Sequence, residues 1–187
     1  MDNNDTKNKL LSATKELLLS EQNPEKITAR KIATTANVNL AMINYCFSSK
    51  DELLKIAVEE IINAEFKKIS AQDLSKYTPK KALKELLYHI SQVTLQYERL
   101  TRLSIPYVLL NAPIEIPNSL LPYIREIVKG KKDDRFCKMV SYQLVSILQI
   151  VFYRGSDFYK YSGINIHEEK DLHMFIDEQI DLLLGGE

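Results

Sequence analysis

The segment from Thr28 to Leu53, TARKIATTANVNLAMINYCFSSKDEL, constrains the fold of this chain more than any other part of it. Its apolar and turn-forming residues predict a helix, a tight turn, a second short helix and the start of a third helix within 26 residues. Asn37 stands at the turn, and Asn tolerates the left-handed backbone that a sharp turn requires. This order of elements is the layout of a helix-turn-helix motif.

Polar residues at the helix starts support this interpretation. Thr28 is placed to cap the first helix and Asn39 to cap the second, predicted over Leu40 to Phe47. Ser49, with Glu52 three residues later, predicts a capping box for the helix that follows. Each local signal therefore agrees with the same three-helix arrangement.

The second helix has two different faces. Ile43 and Phe47, one helical turn apart, predict a face that packs inward, whereas the side chains of the outer face are mostly small or polar. In a helix-turn-helix, such an outer face enters the major groove, where apolar side chains contact thymine methyls and Asn bonds an adenine edge or a phosphate. The predicted DNA-binding residues are Thr28, Arg30, Asn39, Leu40, Ala41, Asn44, Tyr45 and Lys50. The alternative is a plain helical hairpin within a larger core, which the polar outer face disfavours.

Charge adds a modest local signal, because the formal net charge of the whole chain is zero. Between Lys7 and Lys55, eight basic residues oppose five acidic ones. From Glu168 to Glu187, seven acidic residues oppose Lys170. The N-terminal end is thus the one suited to face an anion, and its small surplus implies a few well-placed contacts or a doubling by dimerisation.

The rest of the chain predicts a helical body. Helical spacing of apolar residues recurs to the C-terminus and no period-two strand pattern stands out, so we expect an all-α protein of about nine helices. Pro106 predicts a break or kink, and the aromatic stretch 158–161 predicts a loop before a last helix capped by Asn165. We expect a helix-turn-helix domain over 1–50, a connecting fourth helix over 50–70, and a regulatory and dimerisation domain over 71–187.

The uncharged interval from Met139 to Tyr153 predicts a helix that must be covered on most sides. A second copy of the chain can cover it, although a central position within one subunit is the alternative. The interval is shorter than the ~20 residues that span a bilayer. Because the polar start MDNNDTKNK also predicts no signal peptide, we expect a cytoplasmic protein without a membrane segment.

Residues Lys7 to Ile61 resemble the DNA-binding domain of the tetracycline-repressor (TetR) family. The matching residues are Leu10, Leu11, Ala13, Leu17, Leu18, Thr28, Arg30, Ile32, Ala33, Ala36, Asn37, Val38, Asn39, Ile43, Asn44, Tyr45, Phe47, Ser49, Lys50, Asp51, Glu52 and Leu53. Three positions depart from the family pattern: Asn37 replaces a usual Gly, Asn44 replaces a frequent aromatic, and Lys31 replaces the acid of a capping box.

The resemblance implies a homodimer on a palindromic DNA operator, with the last two long helices, about 136–154 and 166–184, forming a four-helix interface. It also implies a small-molecule effector bound in the helical body, which changes the spacing of the two DNA-binding domains. The candidate effector-binding residues are Tyr88, His89, Gln92, Tyr107, Tyr142, Ser146 and Gln149. Half-buried surface or interface residues are the alternative for this set.

We therefore predict a transcriptional regulator, a repressor that a small molecule releases from its operator. The alternatives are a DNA-binding protein of the same fold that answers to a protein partner or to no ligand, and a helical enzyme or carrier. The sequence shows no catalytic set, no Gly-rich phosphate loop and no metal spacing around Cys46 or Cys137. We accordingly expect no enzyme activity, no cofactor and no metal.

Overall fold

The structure is a computed structural model that describes residues 3–21, 23–70, 74–111 and 114–185. These residues form ten α-helices and no β-strand, which confirms the all-α prediction with one helix more than expected. The helices are α1 (Asn3–Ser20), α2 (Ala29–Thr35), α3 (Ala41–Phe47), α4 (Lys50–Ser70), α5 (Pro79–Gln96), α6 (Glu98–Asn111), α7 (Leu121–Ile127), α8 (Asp134–Tyr153), α9 (Gly155–Ser162) and α10 (Glu169–Leu184). Short 3-10 helices lie at Pro24–Lys26 and Ile116–Ser119.

The chain divides into two compact units. Unit 1 comprises the described residues up to Glu65 together with Arg99–Ser104, and unit 2 comprises those of Phe66–Glu98 and Ile105–Glu187. The predicted functional division at residues 50 and 71 stays a prediction. Unit 1 is discontinuous in sequence, and Arg99 donates a hydrogen bond from Nη1 to the carbonyl oxygen of Glu21 at 2.8 Å.

Each unit has its own buried apolar side chains. In unit 1, the largest fully buried ones come from α1 to α4 and the turn before α2, and they are Leu10, Leu18, Ile27, Ile32, Ile43 and Leu53. In unit 2, the core is one contiguous cluster that includes Leu83, Leu87, Leu120, Ile124, Leu144 and Ile166. Burial of this kind is the main favourable contribution to folding, so each unit has its own source of stability.

Helix α9 corrects the prediction of an aromatic loop. Its eight residues run from the buried Gly155 to Ser162. Gly163 follows at the C-terminal cap, where its left-handed φ of 78° is typical of a helix end. Phe158 packs edge-on against Phe175 with ring centroids 5.3 Å apart. The prediction was wrong because the anchoring partner Phe175 comes from α10, a long-range contact that local spacing does not reveal.

The last helix also begins later than expected. Asn165 accepts a hydrogen bond from the backbone N–H of His167 at 3.2 Å, and its own backbone N–H donates to Asp171. These bonds form a turn before the helix, so Asn165 does not cap it directly. Helix α10 instead starts at Glu169, with Glu168 at the capping position and no capping bond from its side chain.

Helix α6 runs through Pro106 without the predicted break, and a kink there stays a prediction. Proline lacks a backbone N–H, so one bond of the helix is missing at this point. The boundary between the two units falls between Ser104 and Ile105, next to Pro106. The proline therefore coincides with the place where the helix passes from one unit to the other.

Helix α8 has two different faces. Val140, Leu144 and Leu148 are buried in the core of unit 2, whereas Met139 is 51% exposed and Ile150 is 45% exposed. Within the described part of the chain, α8 is the one helix long and apolar enough to cross a membrane by length and composition. A core helix passes the same test, so the composition of α8 is weak evidence for a membrane span.

Candidate nucleic-acid interface

The turn between α2 and α3 follows the predicted chemistry. The hydroxyl oxygen of Thr28 accepts a hydrogen bond from the backbone N–H of Lys31 at 3.1 Å and so caps α2. Asn37 has a φ of 51°, in the left-handed region expected of it. The backbone N–H of Val38 then donates to the carbonyl oxygen of Ala33 at 3.0 Å, which closes the turn.

Helix α3 begins one residue later than predicted, at Ala41, so Leu40 stands at the capping position and Asn39 bonds to the first turn from one residue further back. The Oδ1 of Asn39 accepts a hydrogen bond from the backbone N–H of Ala41 at 2.9 Å. Ile43 and Phe47 are buried, in agreement with their spacing of one helical turn. These caps and buried contacts fix which face of α3 is left toward solvent.

Seven of the eight predicted DNA-binding residues are exposed to solvent. Tyr45 is 70% exposed and Leu40 is 46% exposed. The other exposed members of the set are Thr28, Arg30, Asn39, Ala41 and Asn44. Lys50, in the first turn of α4, is half-buried, and its Nζ lies 3.3 Å from Oδ1 of Asp51.

A groove of about 970 Å³ lies on this side of unit 1. Four predicted residues line it, namely Arg30, Asn39, Leu40 and Tyr45, together with Thr6, Ala33, Thr34, Asn37, Val38 and Met42. Thr28, Ala41, Asn44 and Lys50 lie outside its lining. The structure therefore brings half of the predicted set to one concave surface and leaves the other half around it.

Sequence reasoning did not assign Thr6, Thr34 or Met42 to this surface. Thr34 is exposed and follows Arg30 by four residues on α2, so helical spacing could have found it. Thr6 belongs to α1, and tertiary packing alone brings it to the groove.

Charge around the groove depends on which cations are paired. The side chain of Lys31 forms an ion pair and a hydrogen bond with the carboxylate of Glu21. Arg30, the residue before it, has no ionic or hydrogen-bonding partner for its side chain among the described residues. The guanidinium of Arg30 is thus available to an anion, and a guanidinium matches phosphate geometry well.

The connection from α3 to α4 is a strained turn. Ser48 has φ 65° and ψ −35°, and the backbone N–H of Ser49 donates to the carbonyl oxygen of Phe47 at 2.7 Å. This three-residue hydrogen-bonded turn is rare for an L-residue. The Oγ of Ser49 accepts from the backbone N–H of Glu52 at 3.0 Å, as its predicted capping role requires. The turn therefore sets the direction in which α4 leaves α3.

The candidate effector residues separate into several places in unit 2. Tyr142, Ser146 and Gln149 of α8 line a cavity of about 230 Å³, together with apolar residues that include Leu109, Leu110 and Val145. Tyr88 lines a different cavity of about 280 Å³, together with Lys80, Lys81 and Lys84 of α5. His89 is half-buried, whereas Gln92 and Tyr107 are exposed. The structure thus does not gather the seven predicted residues at one site.

Tyr88 belongs to a polar cluster between α5 and α10. Its hydroxyl donates to the carboxylate of Asp177, and its ring stacks on His173 with centroids 3.9 Å apart. Lys84 also pairs with Asp177 at 3.1 Å. Burial, and then the hydrogen bond to Asp177, raise the pKa of Tyr88 well above its usual value. The phenol therefore stays protonated and keeps its role as a donor.

Comparison with solved structures identifies the fold as that of TetR-family transcriptional regulators. The TetR-family repressor FadR of Thermus thermophilus, solved in complex with lauroyl-CoA, has a TM-score of 0.70 and 16% sequence identity, over 96% of this chain and 94% of that chain. A TetR regulator from Rhodococcus sp. RHA1 has a TM-score of 0.66 and 16% identity, over 98% of both chains. No family model and no curated protein sequence matches this chain.

Proposed function

We propose that this chain is a DNA-binding transcriptional regulator of the TetR family, and that it acts as a repressor which a small molecule releases from a palindromic operator. The observation that supports the proposal is the solvent face of α3, where Leu40, Asn44 and Tyr45 are exposed within a fold shared with TetR regulators. A face of short, polar and hydrogen-bonding side chains suits the major groove, which admits one α-helix.

Each predicted residue has a proposed role at the DNA. Leu40 and Ala41 contact thymine methyl groups, and Asn44 bonds either a base edge or a phosphate. Thr28, Arg30, Tyr45 and Lys50 contact phosphates around the groove, which positions α3 without selecting a sequence. Residues 1–50 form the DNA-binding domain in this proposal, 50–70 the connecting helix, and 71–187 the regulatory and dimerisation domain.

The proposed dimer forms through α8 and α10. Met139, Tyr142, Ser146, Gln149 and Tyr153 follow one another at alternating intervals of three and four residues, the spacing of a helix–helix seam. All five are exposed or half-buried in the single chain, so a second copy has a surface to cover. Two copies of α3 then enter successive major grooves ~34–36 Å apart.

The proposed effector binds in the cavity lined by Tyr142, Ser146 and Gln149, so it would lie beside the dimer interface to which the same three side chains contribute. The side chains of Leu109 and Val145 supply apolar contact, and the three polar groups orient the ligand. The Thermus thermophilus repressor was solved with lauroyl-CoA, which supports a ligand with an apolar part. The effector would act by favouring a dimer whose spacing no longer fits the operator.

One observation favours the second candidate, a regulator of the same fold controlled by a protein partner or by no ligand. The cavity at Tyr142 has about 230 Å³, below the ~300–1,000 Å³ of most small-molecule sites. Thermal shifts across a compound library separate the two candidates. A compound that raises the melting temperature and also weakens DNA binding supports the repressor with an effector, and the lack of one supports the second candidate.

Selection of DNA from a random pool tests the proposal directly. We expect enrichment of a palindrome, and for this operator Tyr45→Ala and Lys50→Ala should each weaken binding about 10-fold, since each removes a contact to a charged phosphate. Lys31→Ala is the control, because Lys31 is not among the assigned contacts and its ammonium group is both ion-paired and hydrogen-bonded to Glu21. Unchanged affinity of both variants in an anisotropy titration would count against the assigned surface, and failure to enrich any sequence would favour an enzyme or carrier.

The remaining parts of the proposal follow from the same function. As a DNA-binding regulator, the chain would work in the cytoplasm, without a membrane and without catalysis of its own. The fractionation of a tagged chain checks the first point, since recovery in the membrane pellet would contradict it.

A further inference from the structure

We infer that Lys7, in the second turn of α1, is an additional phosphate-contacting residue of the nucleic-acid interface. The inference rests on the proposed DNA-binding function and extends it to a helix that lies outside the helix-turn-helix. Sequence reasoning assigned contacts to α2, α3 and α4 alone. The structure places the start of α1 at the same surface.

One neighbour and one contact give the position of Lys7, which lies outside the lining of the groove itself. The preceding residue, Thr6, lines the groove together with Arg30 and Tyr45. The ammonium nitrogen of Lys7 lies 5.5 Å from the centroid of the Phe47 ring, at the C-terminal end of α3. Lys7 therefore stands beside the helix that we propose enters the DNA.

Charge pairing separates Lys7 from most other cations of unit 1. Five lysines of this unit lie within 4.0 Å of a carboxylate, namely Lys9, Lys15, Lys31, Lys50 and Lys55. Among the described residues, Lys7 has no such partner, and its contact with the Phe47 ring is its one interaction. Arg30, which lines the groove, also has no carboxylate partner among the described residues.

The contact with Phe47 favours a role in binding. An aromatic face attracts an ammonium group by ~0.5–1 kcal/mol at an exposed site, but it carries no net charge and does not neutralise the cation. Lys7 is exposed, so its charge remains available to an anion while the ring restricts where its side chain lies. A DNA phosphate beside α3 is the anion that this arrangement fits.

The test is the salt dependence of DNA binding, because each phosphate contact contributes about 0.9 to the slope of log affinity against log salt. The probe is a fluorescein-labelled mixed-sequence duplex of about 30 base pairs, titrated by anisotropy between about 50 and 200 mM KCl. Lys7→Gln removes one contact in each subunit, so we expect the slope of the dimer to fall by about 1.8. Lys7→Arg keeps the charge and should keep the slope.

Lys9→Gln is the matched control on the same helix. It makes the same change in net charge, but Lys9 is already paired with Asp5 at 2.6 Å, so its slope should stay that of the wild type. A Lys7→Gln slope equal to that of the wild type overturns the inference, as does an equal loss in both variants, which would indicate general electrostatics.

The melting temperature of Lys7→Gln tests whether Lys7 has a purely structural role. If Lys7 only covers Phe47, Lys7→Gln lowers the melting temperature and leaves the salt slope unchanged, which also overturns the inference. Failure of the wild-type chain to bind any duplex is a different result, since it removes the proposed function itself. Binding by the wild type with an unaltered Lys7→Gln slope removes the Lys7 contact alone.

Discussion

Helices α3 and α8 both leave one face uncovered, but only the face of α8 combines large apolar side chains with its polar ones. On α3, the uncovered side chains include Asn44 and Tyr45, which offer hydrogen-bonding groups. On α8, they include Met139 and Ile150, within an interval that contains no charged residue. We therefore expect a different partner for each face: DNA for that of α3, and a second copy of this chain for the mixed apolar and polar face of α8.

The largest expected effect concerns the uncovered face of α8. Ile150→Glu places two charges in the proposed dimer interface, and burial of each without a partner costs about 2 kcal/mol or more. The dimer should therefore weaken about 1,000-fold, as measured by sedimentation over a concentration series. The control is Tyr161→Glu, since Tyr161 is 91% exposed and lies on α9, outside the proposed interface. If the two variants have the same dimer dissociation constant, the face of α8 is not the dimer interface.

The next prediction separates the two faces of α3 through neighbouring residues. Ile43 is 1% exposed, so Ile43→Ala should lower the free energy of unfolding in urea by about 2–5 kcal/mol. Asn44 is exposed, and Asn44→Ala should change that free energy by less than about 0.5 kcal/mol while it weakens DNA binding. The assignment of faces is wrong if Asn44→Ala destabilises the fold as much as Ile43→Ala.

The smallest expected effects concern the two turns that bound α3. Ser48→Gly should raise the free energy of unfolding by about 1 kcal/mol, because glycine adopts a positive φ without the steric conflict of a side chain. Asn37→Ala should lower it by about 1 kcal/mol, because alanine tolerates the left-handed region less well than asparagine. Thermal unfolding measures both, and a loss of stability in Ser48→Gly would show that its side chain contributes more than its backbone strain costs.

Local chemistry allowed much of unit 1 to be predicted. The caps at Thr28, Asn39 and Ser49, and the left-handed Asn37, are each decided by a few neighbouring residues. Helix α5 begins with local chemistry of the same kind, since Thr78 caps it and Pro79 follows in its first turn.

Features that depend on distant contacts were missed. Helix α9 is anchored by Phe158 on Phe175, and Thr6 reaches the groove through the packing of α1. The effector residues were grouped by their polarity on apolar helices, but polarity gives no information on which cavity a side chain lines. Tyr88 and Tyr142 consequently lie at different cavities.

The discontinuity of unit 1 has a consequence for the synthesis of the protein. The segment Arg99–Ser104 belongs to this unit, and Arg99 bonds to the backbone of Glu21, yet 33 residues of unit 2 separate it from Glu65. Translation at ~5–20 residues per second adds those residues in about 2–7 s. For that interval, a nascent chain has made the whole helix-turn-helix but lacks the last part of its unit. An isolated fragment that ends near residue 65 would stay permanently in this incomplete state.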